Sequence, residues 1–197
     1  MEFDFDLAGL RERLKRSRPA PAVYGDDGVG RESAATVAAV LVPIIAHPSG
    51  LTVLFTQRTA HLRAHSGQVS FPGGRAEPGD ASPEETALRE AQEEIGLARG
   101  RVEVIARLPE YFTRTGFRVT PVVGLIDPPL ELSPDPGEVE SVFEVPLAFL
   151  LDARNHQRHT REFQGATVGY YAMPYRDRNI WGATAGMLVS LCQALAD

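Results

Sequence analysis

The stretch LREAQEEIGL, residues 88–97, sets Arg89, Glu90, Glu93 and Glu94 within six residues. In a helix, Glu90 and Glu94 are four apart and Glu93 is three from Glu90, so this spacing stacks all three carboxylates on one face. Leu88, Ala91 and Ile95 fall mostly on another face, suited to packing. Like charges so spaced destabilise an isolated helix by roughly 0.2–0.5 kcal/mol per pair. They also lie towards the helix C-terminus, where the dipole disfavours anions. Helix stability does not recommend the arrangement. It is either a solvated acidic face or a site for a hard divalent cation. Mg²⁺ is typically held by one or two carboxylates together with waters and substrate phosphate oxygens.

The elements that would position these groups are readable. Ser82 has N-cap chemistry, Pro83 suits the first helical position, Glu85 completes a capping box and Gly96 supplies the stop, which predicts a helix over 82–96. The loop FPGGRAEPGDA precedes it, after a segment from Arg58 to Ser70 with little periodicity. Upstream, SAATVAAVLVPIIAH and LTVLFTQR are β-rich and flank His47-Pro48-Ser49-Gly50, which predicts a hairpin. RVEVIARL and FRVTPVVGLI read as strands, and VPLAFLLD as a short helix. REFQGATVGYYAMPY carries strand-like runs with a hairpin around Gly165, and IWGATAGMLVSLCQALA reads as a C-terminal helix. Phe5, Leu7, Leu10 and Leu14 are close to helical spacing. The expectation is one domain over 1–197, with a helical extension at about residues 1–20 and a Pro- and Gly-rich connector. Strands outnumber scattered helices, which favours α+β or an α/β/α sandwich over a doubly wound parallel sheet.

Composition narrows the partners. The chain has 43% hydrophobic residues, a net charge of −6 and a pI near 5.4. That argues against a nucleic-acid or membrane-surface partner, both of which need a basic face. A small anionic ligand is compatible, because it needs just a few local cations or a bound metal. Cys192 is the single cysteine, so no intramolecular disulfide and no cysteine-based zinc site can form, and its apolar surroundings suit an inert thiol. No apolar run approaches the roughly 20 residues of a membrane span. MEFDFDLAGL lacks the apolar core of a secretion signal, so the expected location is cytoplasmic.

GRAEPGDASPEETALREAQEEIGL resembles the Nudix box, G-x5-E-x7-R-E-U-x-E-E-x-G-U with U aliphatic. Arg89, Glu90, Ala91, Glu93, Glu94, Gly96 and Leu97 match its second half in order. The first half departs: Asp80 fills the acidic position, and residues 81–88 make one residue more than the pattern allows. The coenzyme A pyrophosphatases of the Nudix superfamily are similar in having a longer loop with Asp there. LFTQRTAHLRAHSGQVSFPGG also resembles the signature that accompanies the box in that branch. Leu54, Thr56, Arg58, Arg63, Gly67, Phe71, Pro72, Gly73 and Gly74 fit it, while Phe55 and Thr59 are mild departures. FRVTPVVG and IWGATA look like the same family on weaker strings.

The resemblance implies a Nudix fold, with a mixed β-sheet and a loop–helix–loop catalytic motif. It implies hydrolysis of the diphosphate linkage of coenzyme A and its derivatives to 3′,5′-ADP and 4′-phosphopantetheine, free or acylated, with Mg²⁺ or Mn²⁺ as cofactor. Glu90 and Glu94 would ligate metal, Glu93 would share the metal shell, and Arg89 would orient these carboxylates by bidentate pairing. Arg58, Arg63, Gly67, Phe71, Gly73 and Gly74 would contact substrate. Two guanidiniums suit a diphosphate plus a 3′-phosphate, and glycines let the backbone approach closely. Either arginine could instead pair structurally with a carboxylate, and the neighbouring His61 and His65 fit surface or hydrogen-bonding roles. The general base would be Glu90, or Glu138 or Glu140 from PDPGEVESVFEV, an exposed loop and strand edge on the plainer reading. Two other functions stay open: cleavage of a different nucleoside diphosphate derivative (ADP-ribose, a nucleotide sugar, a dinucleotide), and a non-catalytic Nudix ligand-binding module.

Overall fold

The computed structural model describes residues 7–16, 23–24, 35–60, 67–163 and 165–196. In order they form α1 (Leu7–Arg16), β1 (Val23–Tyr24), β2 (Thr36–His47), β3 (Gly50–Arg58), β4 (Val69–Ser70), β5 (Gly73–Arg75) and α2 (Pro83–Ile95). Then follow β6 (Val102–Arg107), β7 (Tyr111–Phe112), β8 (Phe117–Ile126), β9 (Val139–Pro146), α3 (Leu147–Leu151), β10 (Gln157–Phe163), β11 (Ala166–Tyr175), β12 (Arg178–Trp181) and α4 (Ala183–Ala196).

β2 organises the mixed central sheet. It runs parallel to β8, with Leu41 opposite Val122, and antiparallel to β3 and β5, with His47 opposite Gly50 across the expected hairpin. β3 also pairs with β4 and β9, and β8 with β6 and β7. A second, antiparallel sheet is formed by β10, β11 and β12.

Burial along β2 alternates between two cores. Ala38, Val42 and Ile44 join Val53, Phe55, Val123 and Leu125 under α3 and α4. Ala39, Leu41 and Ile45 join Leu54, Val122 and Ile126 under Ala87, Ala91 and Ile95 of α2. A strand covered on both faces needs apolar residues at every position, which is why residues 38–45 carry no polar side chain. The result is the α/β/α sandwich that the pattern favours. The N-terminal extension is part of it: Leu10 and Leu14 are buried in the first core, Arg11 pairs with Glu103 of β6 at 2.5 Å, and Arg13 donates to the Leu195 carbonyl of α4 at 2.8 Å. Phe5 lies outside the described residues. Among the described residues no helix is long and apolar enough to cross a membrane.

Two expectations need correction. Ile180 and Trp181 belong to β12, and α4 begins at Ala183. Arg176, at φ 55°, lets the chain turn so that Tyr175 faces Arg178, and pairing with β11 claims residues that read locally as helix. Residues 73–75, read as loop, and 139–146, read as no more than a strand edge running into the VPLAFLLD helix, become β5 and β9 by pairing with β2 and β3. Those partners are distant in sequence, so local periodicity does not report them.

Candidate active site

The helix α2 is set as its sequence dictates. Ser82 Oγ accepts the Glu85 N–H at 3.3 Å, and the Glu85 carboxylate reaches back to the Ala81 N–H at 3.0 Å. Gly96 closes the helix at φ 68°, in a left-handed conformation that glycine adopts without strain. Packing of Ala87, Ala91 and Ile95 on the sheet fixes the rotation of the helix. That rotation brings Glu90 and Glu94 against β5.

The three glutamates part company there. The Glu94 side chain is 5% exposed; its Oε2 accepts the Gly73 N–H at 3.2 Å and its Oε1 accepts from Arg58 Nη1 at 3.3 Å. Burial pushes its carboxyl up to about 7, opposed by Gly73 and Arg58 and reinforced by the nearby charges of Glu90 and Glu138. Glu90, 17% exposed, is also raised, first by burial, against the pull of Arg89. Glu93 is 60% exposed and accepts from Arg89 Nη1 at 2.9 Å. The single acidic face expected over residues 90–94 therefore divides. Neighbouring helical positions differ by about 100°, so Glu94 turns inward while Glu93 turns to solvent.

Arg89 pairs bidentately, and its partner is Asp80. Nε meets Oδ1 at 3.1 Å and Nη2 meets Oδ2 at 3.0 Å, while the remaining donors reach Glu90, Glu93 and the Arg75 carbonyl. The Arg89 hydrogen bonds, with the Glu77 N–H and Thr86 hydroxyl, hold the Asp80 carboxyl well below the usual carboxylate range. Asp80 thus ties the loop to the helix. The one-residue insertion and the change from Glu leave the acidic position with a structural partner.

The glycines serve packing of the site itself. A Cβ on Gly74 would lie 2.5 Å from Glu90 Cδ, and one on Gly73 would lie 2.5 Å from the Ala39 carbonyl oxygen. Their small size admits a carboxylate and a neighbouring strand. Phe71 is buried and stacks on Phe55 at 5.1 Å between centroids, and Gly67 sits exposed in the turn before β4.

At the end of β3, Arg58 bridges Glu94 and Glu138, the latter at 3.8 Å. Its Nε is buried with no hydrogen-bond partner among the described residues. The Thr59 N–H donates to the Glu138 carbonyl, which holds Glu138 at the rim. Glu140 is exposed on β9. Arg63, His61 and His65 lie outside the described residues. Beside Arg58 and Gly73 opens a pocket of about 380 Å³ whose walls include Tyr111, Phe117, Arg114, Arg161 and Trp181, none of them among the expected site residues. Trp181, the sole tryptophan, sits in the IWGATA string and Phe117 opens FRVTPVVG, the two weaker signals that pointed to this wall.

Among the described residues no three His, Cys, Asp or Glu side chains converge as a ready-made cage. The donor set is two inward carboxylates, each raised first by burial; Glu90 and Glu138 add to the rise at Glu94, and Glu93 and Glu138 to the rise at Glu90. That suits an oxygen-loving dication that keeps waters and completes its shell with substrate oxygens.

A family model for the NUDIX domain matches residues 35–165. An uncharacterized Nudix hydrolase NudL of Photorhabdus laumondii is 43% identical over 156 residues, covering 79% of this chain and 83% of that protein. Its counterpart from Escherichia coli K12 is 44% identical over 155 residues, 78% of this chain and 80% of that one. Among solved structures, a MutT/nudix family protein from Enterococcus faecalis has a TM-score of 0.52 at 16% identity, covering 87% of this chain and 66% of that one. A NUDIX hydrolase from Alicyclobacillus acidocaldarius has a TM-score of 0.50 at 19% identity, covering 83% and 96%. At these identities the solved structures speak to the fold alone.

Proposed function

Because this chain belongs to the Nudix family, we propose that the groove between α2, β5 and the end of β3 hydrolyses the diphosphate linkage of coenzyme A and its acylated or oxidised derivatives, with Mg²⁺ or Mn²⁺ bound, to 3′,5′-ADP and 4′-phosphopantetheine. The observation that carries the reading is Glu94, a buried carboxylate raised by burial and by its acidic neighbours, directed at the backbone of β5. Such a group invites a cation that arginine alone does not replace.

Glu90 and Glu94 would hold the metal. When bound, the ion polarises phosphoryl oxygens and lowers the pKa of a water from about 15.7 towards neutrality. The Gly73 N–H and Arg58 orient Glu94, and the Asp80–Arg89 pair orients Glu90. Glu93 braces Arg89 from the solvent side. Glu138, half exposed and beside Arg58, would accept the proton of an attacking water. The buried Nε of Arg58 supplies a donor for an oxygen of the substrate diphosphate. The coenzyme A assignment rests on the resemblance of residues 54–74 to that branch's signature, which includes Arg58 and Gly73, the two groups that meet Glu94; Phe71, of the same signature, is buried against Phe55.

The test is a substrate panel with Mg²⁺ or Mn²⁺: coenzyme A, acetyl-coenzyme A, ADP-ribose and a dinucleotide polyphosphate. Highest kcat/KM on the coenzyme A compounds is expected. Equal or better turnover of ADP-ribose would overturn the substrate.

A further inference from the structure

We infer that the pocket beside Arg58 and Gly73 seats the nucleotide half of the substrate, with Trp181 stacking its base and Arg161 gripping a phosphate on its sugar. This rests on the reading of the groove as a diphosphate hydrolase site.

Two sheets build the pocket. Arg58 and Gly73, which both touch Glu94, line it with Tyr111 and Phe117 from the central sheet. Arg161 and Trp181 line it from the second sheet. The chain carries a net charge of −6, yet the described lining includes Arg58, Arg114 and Arg161 and no aspartate or glutamate. A local excess of this kind favours a ligand that carries more than one negative charge. Its volume of about 380 Å³ is in the range of small-ligand sites.

Arg161 is held in a way that suits a phosphate. His159 pairs with Tyr170 and Ala172 with Trp181, so the alternation of the strands sets His159, Arg161, Tyr170 and Trp181 on one face of the second sheet. The guanidinium lies 5.2 Å from the Trp181 centroid and 5.7 Å from that of Tyr170, and Tyr170 itself stacks on His159. Aromatic faces fix the guanidinium plane, and a guanidinium held flat in this way suits forked recognition of phosphate oxygens. A neutral pantetheine arm would have no use for two arginines beyond the diphosphate. Coenzyme A carries such a sugar phosphate at the 3′ position.

The inference is read in two assays on metal-loaded protein. In direct titration, 3′,5′-ADP should bind wild type about tenfold or more tighter than 5′-AMP. Arg161→Gln should reduce that preference to below about twofold, and Trp181→Leu should weaken both nucleotides while sparing 4′-phosphopantetheine. In turnover, Arg161→Gln should lower kcat/KM for coenzyme A far more than for coenzyme A lacking its 3′-phosphate. Circular dichroism reports folding, and Arg161→Lys, which keeps charge but loses the fork, gives a second reading if Arg161→Gln does not fold. Equal losses on the two coenzyme A forms, or weakened phosphopantetheine in place of nucleotide, would overturn the subsite while leaving the hydrolase reading intact. A wild type that cleaves no coenzyme A but keeps the 3′,5′-ADP preference would overturn the hydrolase reading alone.

Discussion

Gly74 and Glu90 interlock: a Cβ on Gly74 would stand 2.5–2.6 Å from every atom of the Glu90 carboxyl group. Glycine at 74 is therefore a condition for the inward rotamer of Glu90. Gly74→Ala should fold, because the carboxylate is the flexible party, and should lose activity because Glu90 is displaced. A misplacement of about 1 Å costs on the order of 10²-fold in rate. Steady-state kinetics beside a thermal melt check this, and full activity with unchanged metal affinity would contradict it.

The three glutamates should rank by where they point. Glu94→Gln and Glu90→Gln remove inward carboxylates, so kcat should fall by about 10³-fold or more, the loss of several kcal/mol of metal-assisted stabilisation. Glu93→Gln acts through Arg89 and should cost roughly 10- to 100-fold, as a group orienting a ligand does. A larger loss at Glu93 than at Glu94 would place the metal on the solvent side of the helix.

Asp80 should govern acid stability. Its folded pKa lies below the unfolded value, so its contribution is fully present above about pH 4 and is lost as pH falls through the lowered folded value. Asp80→Asn should destabilise the protein at pH 7 by about 1–3 kcal/mol, leaving Arg89 without its bidentate partner. The gap from wild type should shrink as pH drops towards 3. Urea melts at pH 7, 5 and 3 measure it, and a gap that grows in acid would refute the pairing argument.

The N-terminal helix should matter for stability and not for chemistry. Leu14 is buried against the first core, so Leu14→Ala should cost about 2–5 kcal/mol. Because α1 packs on α4 and β6, turnover per folded molecule should hold below the melting transition. A drop in kcat without a drop in Tm would show that α1 reaches the site.

Much of this was legible in the chain. The caps of α2, the hairpin at residues 47–50 and the glutamate cluster are local signals, each set by residues within a few positions of one another. Relationships across the fold were not legible: the Arg89–Asp80 pair, the Gly74–Glu90 contact and the divergence of Glu93 from Glu94 depend on how α2 is rotated by its packing. Glu138 and Glu140 look alike in sequence. The Thr59–Glu138 backbone bond ties Glu138 to the end of β3, where its carboxylate meets Arg58, while Glu140 is an exposed residue of β9. Residues 180–181 read as helix because their partner, β11, is a hairpin turn away and invisible to local hydrophobic pattern.

The central claim is that Glu90 and Glu94 tolerate each other because a dication neutralises them. Titration of chelator-stripped protein with Mn²⁺, followed by electron paramagnetic resonance with and without coenzyme A, tests it most directly. Wild type should take up Mn²⁺, and Glu90→Gln/Glu94→Gln should lose that uptake while keeping its fold. Uptake of Mn²⁺ by the double variant equal to wild type, or none by wild type even with coenzyme A present, would contradict the account.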